Sequence, residues 1–179
     1  MHRFPYAWLS WCISIPLVMG LGWYIAPLFT TPPLEKTTLA PTVTLVQSDT
    51  HISLGRGVVV WPHRILTAQH VVSTVGGYEI LHHWKNTTVD RVEFGSGDTA
   101  RCYVDAPLTT RETLVVLPQP GLVVIGSLTG EIQKSDWKWF VTVQTRPWDS
   151  GTPVRQSGQL IGVISSYDPL LRRTLVALP

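Results

Sequence analysis

Residues 42–179 are predicted to form an all-β body, an antiparallel barrel or sandwich, preceded by one transmembrane helix. Three observations predict it. An uncharged apolar run fills residues 6–29, and a Pro- and Thr-rich segment follows at 30–41. Beyond that, short β-branched runs alternate with turn residues, and no long stretch has helical periodicity.

The chain has 179 residues, room for about one domain and an appendage. Hydrophobic residues make up 44% and charged residues 15%, a balance that points to a membrane segment. The formal net charge is +2, and no basic stripe is present to neutralise phosphates. Nucleic acid is therefore not an expected partner. The oligomeric state is open at this level.

The first element is the anchor, residues 1–29. Tyr6 to Phe29 carries no charged side chain, and about 20 apolar residues cross a bilayer. Trp8, Trp11, Trp23 and Tyr24 lie toward its ends, where amphipathic rings favour the interface. A cleaved secretory signal is the alternative, but its apolar region is usually shorter and ends in small residues, which favours an uncleaved anchor. Arg3 precedes the run, and Lys36 beyond it is offset by Glu35. This bias puts the N-terminus in the cytoplasm and the body outside. Residues 30–41, TTPPLEKTTLAP, form an extended tether because Pro fixes φ and lacks a donor.

Strands are predicted in the body near Val43–Gln47, Gly57–Trp61, Arg64–Thr67, Tyr78–His82, Thr88–Phe94 and Arg101–Val104. Others follow near Leu114–Val116, Leu122–Ile125, Trp139–Gln144, Thr152–Val154, Leu160–Ser165 and Thr174–Ala177. Cys12 lies in the apolar run and Cys102 in the body, so the two are not expected to pair. Cys102, in a strand-like stretch, reads as a small buried hydrophobe.

Three segments carry chemistry. GRGVVVWPHRILTAQHVV, Gly55 to Val72, ends an apolar strand at His70, where an imidazole is partly buried yet reachable from a cleft. GSGDTARCYVDAP, Gly95 to Pro107, puts Asp98 in a Gly-rich turn before a strand. WDSGTPVRQSGQLIGVISS, Trp148 to Ser166, puts Ser150 in a tight turn before a hairpin.

In these segments the chain resembles the trypsin-like (chymotrypsin-fold) serine peptidases, including short bacterial and viral members. LTAQHVV is similar to that family's His segment, DTARCYVDAP to its Asp strand and WDSGTPV to its nucleophile loop. The order His, Asp, Ser also matches. The resemblance spans most of residues 42–179 and implies a double six-stranded antiparallel β-barrel with the site between the barrels. It implies a serine endopeptidase acting on a polypeptide substrate, with no cofactor and no metal. Ser150 would be the nucleophile, His70 the general base and Asp98 the group that orients it.

The same resemblance assigns the oxyanion hole to the backbone N–H groups of Trp148 and Ser150, although Trp148 stands where the family usually has Gly. It assigns the first specificity pocket to Gln144, Ser165 and Tyr167. No carboxylate falls at Gln144, so a Lys/Arg preference is not implied, and Tyr167 would narrow the pocket toward small or modest apolar side chains. Asp149 is expected to find a donor such as Arg146, or to be solvated. The alternative is a catalytically inactive homologue that binds peptides or a partner through the same cleft, a reading favoured by Trp148.

Other candidates are weaker. Asp90 and Asp105 read as solvated carboxylates. His82 and His83 are adjacent and on a strand face opposite ways, so zinc is not expected. Asn86-Thr87-Thr88 is a formal glycosylation sequon. Trp137 and Trp139 would share one strand face and pack on a barrel, and Trp84 is core or surface. No appended peptide-binding module is expected after Pro179.

Overall fold

The computed structural model describes residues 42–73, 76–82, 85–108 and 115–179. The expected anchor and tether, together with Trp84 and His83, lie outside the described residues.

Twelve strands form two closed barrels. The first contains β1 (Thr42–Gln47), β2 (Ser53–Trp61), β3 (Arg64–Ala68), β4 (Tyr78–His82), β5 (Lys85–Phe94) and β6 (Thr99–Val104), in spatial order β1-β2-β3-β6-β5-β4. The second contains β7 (Gly121–Ile125), β8 (Leu128–Ser135), β9 (Lys138–Val141), β10 (Pro153–Gln156), β11 (Gln159–Asp168) and β12 (Arg173–Ala177), in order β10-β11-β12-β9-β8-β7. All the pairings between these strands are antiparallel.

Closure follows from alternation and from bulges. Leu45, Ile65, Ile80, Ala100 and Cys102 point into the first barrel and are fully buried. Ile132, Val141, Val154 and Ile161 fill the second. A third cluster joins the barrels: Val58 and Leu66 from the first meet Leu160, Val163 and Ala177 from the second. Register breaks at Leu45/Val46, Val59/Trp61, Val89/Arg91, Val154/Arg155 and Ile164/Ser166 supply the extra bend and twist a small closed sheet needs. The last of these shapes the cleft.

Two strand expectations are corrected. Of the strand expected over Leu114–Val116, Leu114 lies outside the described residues, and Val115 makes an isolated bridge to Leu160 without belonging to a barrel strand. Leu128–Ser135 is a strand the sequence hides, because Ile132 is its one buried residue and no alternation is visible. Trp137 also departs from expectation. Lys138 opens β9, so Trp137 sits in the preceding turn behind Asp136 (φ 56°) and is 77% exposed. Only Trp139 packs against the barrel core. Cys102 is buried, and burial pushes its thiol pKa up to about 12. Asp90 and Asp105 are exposed, as is Asn86, whose amide donates to Glu79 across the hairpin.

Candidate active site

His70 lies in one turn of 3-10 helix, Gln69–Val72, that follows directly on β3. Val71 and Val72 of this turn are buried in the first barrel and hold the imidazole at its rim. Asp98, one residue before β6, grips the turn at three points. Its Oδ2 is 2.7 Å from His70 Nδ1, its Oδ1 accepts the His70 backbone N–H at 3.2 Å, and its backbone carbonyl accepts the Gln69 N–H at 3.1 Å. The ring is thereby fixed with Nδ1 on the carboxylate, which leaves Nε2 for the cleft. The His70 side chain is 46% exposed and that of Asp98 29%, so the pair is reachable from solvent.

Asp98 is also held from the other barrel. Ser165 is the extra residue of the β11 bulge, between Ile164 paired to Val176 and Ser166 paired to Leu175. An unpaired bulge residue is free to aim its groups elsewhere. Its hydroxyl donates to Asp98 Oδ2 at 2.5 Å, and its carbonyl accepts the Ser150 hydroxyl at 3.1 Å.

Ser150 follows a short 3-10 turn, Pro147–Asp149, and the loop is pinned on both sides. Arg56 of β2 donates its N–H to the Ser150 carbonyl at 2.8 Å, and Gly151 donates to the Ile164 carbonyl at 2.7 Å. Gly151 has φ 82°, and a Cβ there would lie 1.7 Å from the Arg56 carbonyl oxygen. Only glycine fits. Gly55 is needed for a similar reason, since a Cβ there would come within 3.0 Å of the Ser150 carbonyl oxygen.

His70 and Ser150 line one open cleft, with Thr145, Ile164, Ser165 and Tyr167 among the other walls. The sequence-predicted residues His70, Asp98, Ser150, Ser165 and Tyr167 are thus brought together. Gln144 is not. Past β9 the backbone keeps its two-residue alternation, so Val143 and Thr145 face in while Gln144 is exposed and points away. Thr145 lines the cleft instead.

The oxyanion donors are also arranged otherwise than expected. The Ser150 N–H is directed at the Pro147 carbonyl, 3.4 Å away. A trans peptide is planar with its C=O and N–H opposed, so the Trp148 N–H, on the same peptide unit, faces away from Ser150. The Trp148 indole is 55% exposed and lies beneath the Arg146 guanidinium. Asp149 takes the backbone N–H of Arg146 at 2.9 Å, not its guanidinium. Among the described residues no cluster of His, Cys, Asp or Glu could hold a metal ion.

Thr145, Arg146 and Pro147 are cleft residues that the motifs did not announce. The alternation of buried and exposed residues from Val141 onward is the signal that places Thr145.

No family model and no curated protein sequence matches the chain. Solved structures do. The active form of the Rv3671c protease from M. tuberculosis is 18% identical with a TM-score of 0.64, covering 84% of this chain and 81% of that one. The NSP4 proteinase of equine arteritis virus is 21% identical with a TM-score of 0.59, covering 78% and 74%. The MamO protease domain of Magnetospirillum magneticum is 14% identical with a TM-score of 0.62, covering 81% and 95%. This likeness, together with the two barrels, shows a chymotrypsin-like fold.

Proposed function

We propose that the chain is a serine endopeptidase in which Ser150, His70 and Asp98 act as a triad, held at a membrane by residues 6–29 with the barrels on the extracytoplasmic side. The observation that carries the reading is the Asp98–His70 contact of 2.7 Å at a cleft that Ser150 also lines. Three side chains remote in sequence converge there from both barrels. Burial of a fold's core does not require this.

In the reaction, the Ser150 hydroxyl leaves the Ser165 carbonyl and turns to His70 Nε2. Oγ bonds to the scissile carbonyl carbon as the proton passes to the imidazole, and Asp98 stabilises the imidazolium. The proton goes on to the leaving amine as the C–N bond breaks. Water then enters, gives its proton to His70 and releases the acid, restoring Ser150. The oxyanion is met by the N–H groups of Ser150 and Trp148 once the Pro147–Trp148 peptide turns over. The bond this gives up is a long one, and a typical hydrogen bond contributes only about 1 kcal/mol net.

A second reading is a catalytically silent homologue that binds peptide in the same cleft. The Ser150 N–H occupied by Pro147 and the Ser150 hydroxyl occupied by Ser165 favour it. A fluorophosphonate probe on the full chain in mild detergent separates the two. The peptidase reading expects labelling that disappears in Ser150→Ala and in His70→Ala. Folded wild type that takes no label rejects the peptidase reading in favour of the silent homologue.

A further inference from the structure

The hairpin between β11 and β12 ends in a tip, Pro169–Arg172, whose two leucines belong to no core cluster. Leu170 is 92% exposed and Leu171 56%. Their side chains do not shape the turn. Asp168 does, its Oδ1 accepting the backbone N–H of Leu170 at 2.9 Å and that of Leu171 at 3.1 Å. Arg172 completes the turn at φ 49°, in the left-handed region that L residues seldom take. The backbone thus holds two adjacent leucines out in water. One exposed apolar residue is ordinary, but a pair at a braced tip marks a contact surface.

The tip borders the cleft. Tyr167 and Pro169 line it beside the tip, and Arg146 and Pro147 line it from the nucleophile loop. Next to Pro147, the exposed Trp148 indole lies under the Arg146 guanidinium. Each rim therefore presents apolar surface together with a cation, Arg172 on one and Arg146 on the other. Neither cation is in an ion pair among the described residues. The carboxylates nearest to them in sequence, Asp168 and Asp149, are turned onto backbone N–H groups.

We infer that these two rims dock on a phospholipid surface, with Leu170 and Leu171 entering the headgroup region and Arg172 and Arg146 facing lipid phosphates. The cleft then takes polypeptide at the bilayer surface, in segments that flank a substrate's own membrane-bound part. This placement rests on the proposed membrane attachment and peptidase activity, and adds where the substrate lies. Indole rings and leucines gain by entering the interface, and guanidinium groups match phosphate geometry. A four-residue tip is small against the roughly 800 Å² per partner of a stable protein interface. A bilayer contact needs less area when the chain is already held there. The twelve residues 30–41, between the apolar run and β1, reach at most about 43 Å, which keeps the barrels at high local concentration near the lipid.

The test uses the full chain in vesicles of phosphatidylcholine and phosphatidylglycerol. In a Cys12→Ser background, with Cys102 buried, Leu170→Cys carries a nitrobenzoxadiazole dye. Trp137→Cys carries it in a second variant. Trp137 is 77% exposed beyond the start of β9, where Trp139 pairs with Val176 near the end of β12 farther from the tip. The dye at position 170 is expected to shift to the blue and to be quenched by doxyl-labelled lipid, and the dye at position 137 to stay open to iodide. Labelling of Ser150 is then timed with a soluble fluorophosphonate and with one carried on a lipid headgroup by a short linker. The double variant Leu170→Ser, Leu171→Ser is expected to slow the lipid-borne probe by about tenfold or more and to leave the soluble probe's rate unchanged.

A chain that floats with the vesicles while the dye at position 170 stays in water overturns the inference and leaves the membrane attachment standing. Entry of the dye at position 137 in its place moves the contact to the other end of the barrel and also overturns it. An unchanged rate with the lipid-borne probe in the double variant overturns the placing of the substrate and leaves the peptidase reading intact. A chain that does not float overturns the attachment and this inference together. Folded chain that the soluble probe does not label overturns the peptidase reading and, with it, the placing of a substrate.

Discussion

The backbone N–H of Ser150 donates to the carbonyl oxygen of Pro147 at 3.4 Å, and this one contact decides the resting state of the cleft. In the peptidase reading, it turns toward a carbonyl oxygen the N–H that an oxyanion would need. At Trp148 a glycine would let the peptide rotate without a Cβ in its path. Trp148→Gly is therefore expected to raise the rate of fluorophosphonate labelling by about tenfold, since a missing oxyanion donor costs on the order of 10²–10³ and the wild type recovers only part of it by turning the peptide over. Stopped-flow labelling measures it. An unchanged rate would mean that the Pro147–Trp148 peptide does not limit acylation.

Asp98 joins the two barrels through a single oxygen, which accepts from His70 and from Ser165. Replacing Asp98 by Asn keeps the shape but offers an N–H to Nδ1, which selects the wrong imidazole tautomer. The labelling rate is expected to fall by about 10⁴ with little change in melting temperature. Ser165→Ala removes only the second hydrogen bond and leaves the carbonyl that Ser150 uses. Its cost is expected to be about tenfold in kcat with KM nearly constant, the value of one hydrogen bond to a charged group. Equal losses in both variants would show that Asp98 acts through fold stability and not through His70.

Gly151 tests how the nucleophile loop is built. Its φ of 82° and the 1.7 Å approach of a built Cβ to the Arg56 carbonyl mean that alanine must push β2 away from the loop. Gly151→Ala is expected to cost at least about 3 kcal/mol by urea unfolding, combining left-handed strain with a backbone clash. Gly97→Ala is the control. Its φ is 65° but nothing lies within 4 Å of a built Cβ, so the cost is expected to stay near 1–2 kcal/mol. If the two variants lose the same stability, the loop is not held against β2 as described.

Most of the fold was legible because strands between two packed barrels read as short apolar runs, and Val58-Val59-Val60 and Leu160–Val163, which bury one face in a barrel core and the other in the seam between the barrels, carry that signature openly. Strand β8 was not legible, since only Ile132 faces the core and its neighbours are solvated. His70, Asp98 and Ser150 were legible by order and flanking residues. The pocket was not. Gln144 was placed by counting back from Ser150, whereas facing depends on the pleat, which turns Thr145 inward. The oxyanion peptide was illegible for a different reason. Its orientation turns on one ψ/φ pair at Pro147–Trp148, and composition does not fix which way a peptide plane faces.

Cys102 is an ionisable group whose burial has a measurable consequence. The thiol is fully buried among apolar side chains of the first barrel, and desolvation of the thiolate raises its pKa to about 12. The unfolded chain keeps the ordinary thiol pKa near 8.5. A folded pKa above the unfolded one means that the folded state holds the proton more tightly. The associated stability is complete below about pH 8.5 and declines as pH rises toward about 12. In a Cys12→Ser background, a thiol reagent at pH 8 is expected to react with Cys102 only after denaturation, and urea midpoints are expected to fall between pH 8 and pH 10.5. Cys102→Ala, although less stable at pH 8 because it leaves a small void, is expected to show a flatter alkaline decline. Rapid labelling of the native protein, or an identical alkaline slope in the alanine variant, would show that water reaches this sulfur in the barrel.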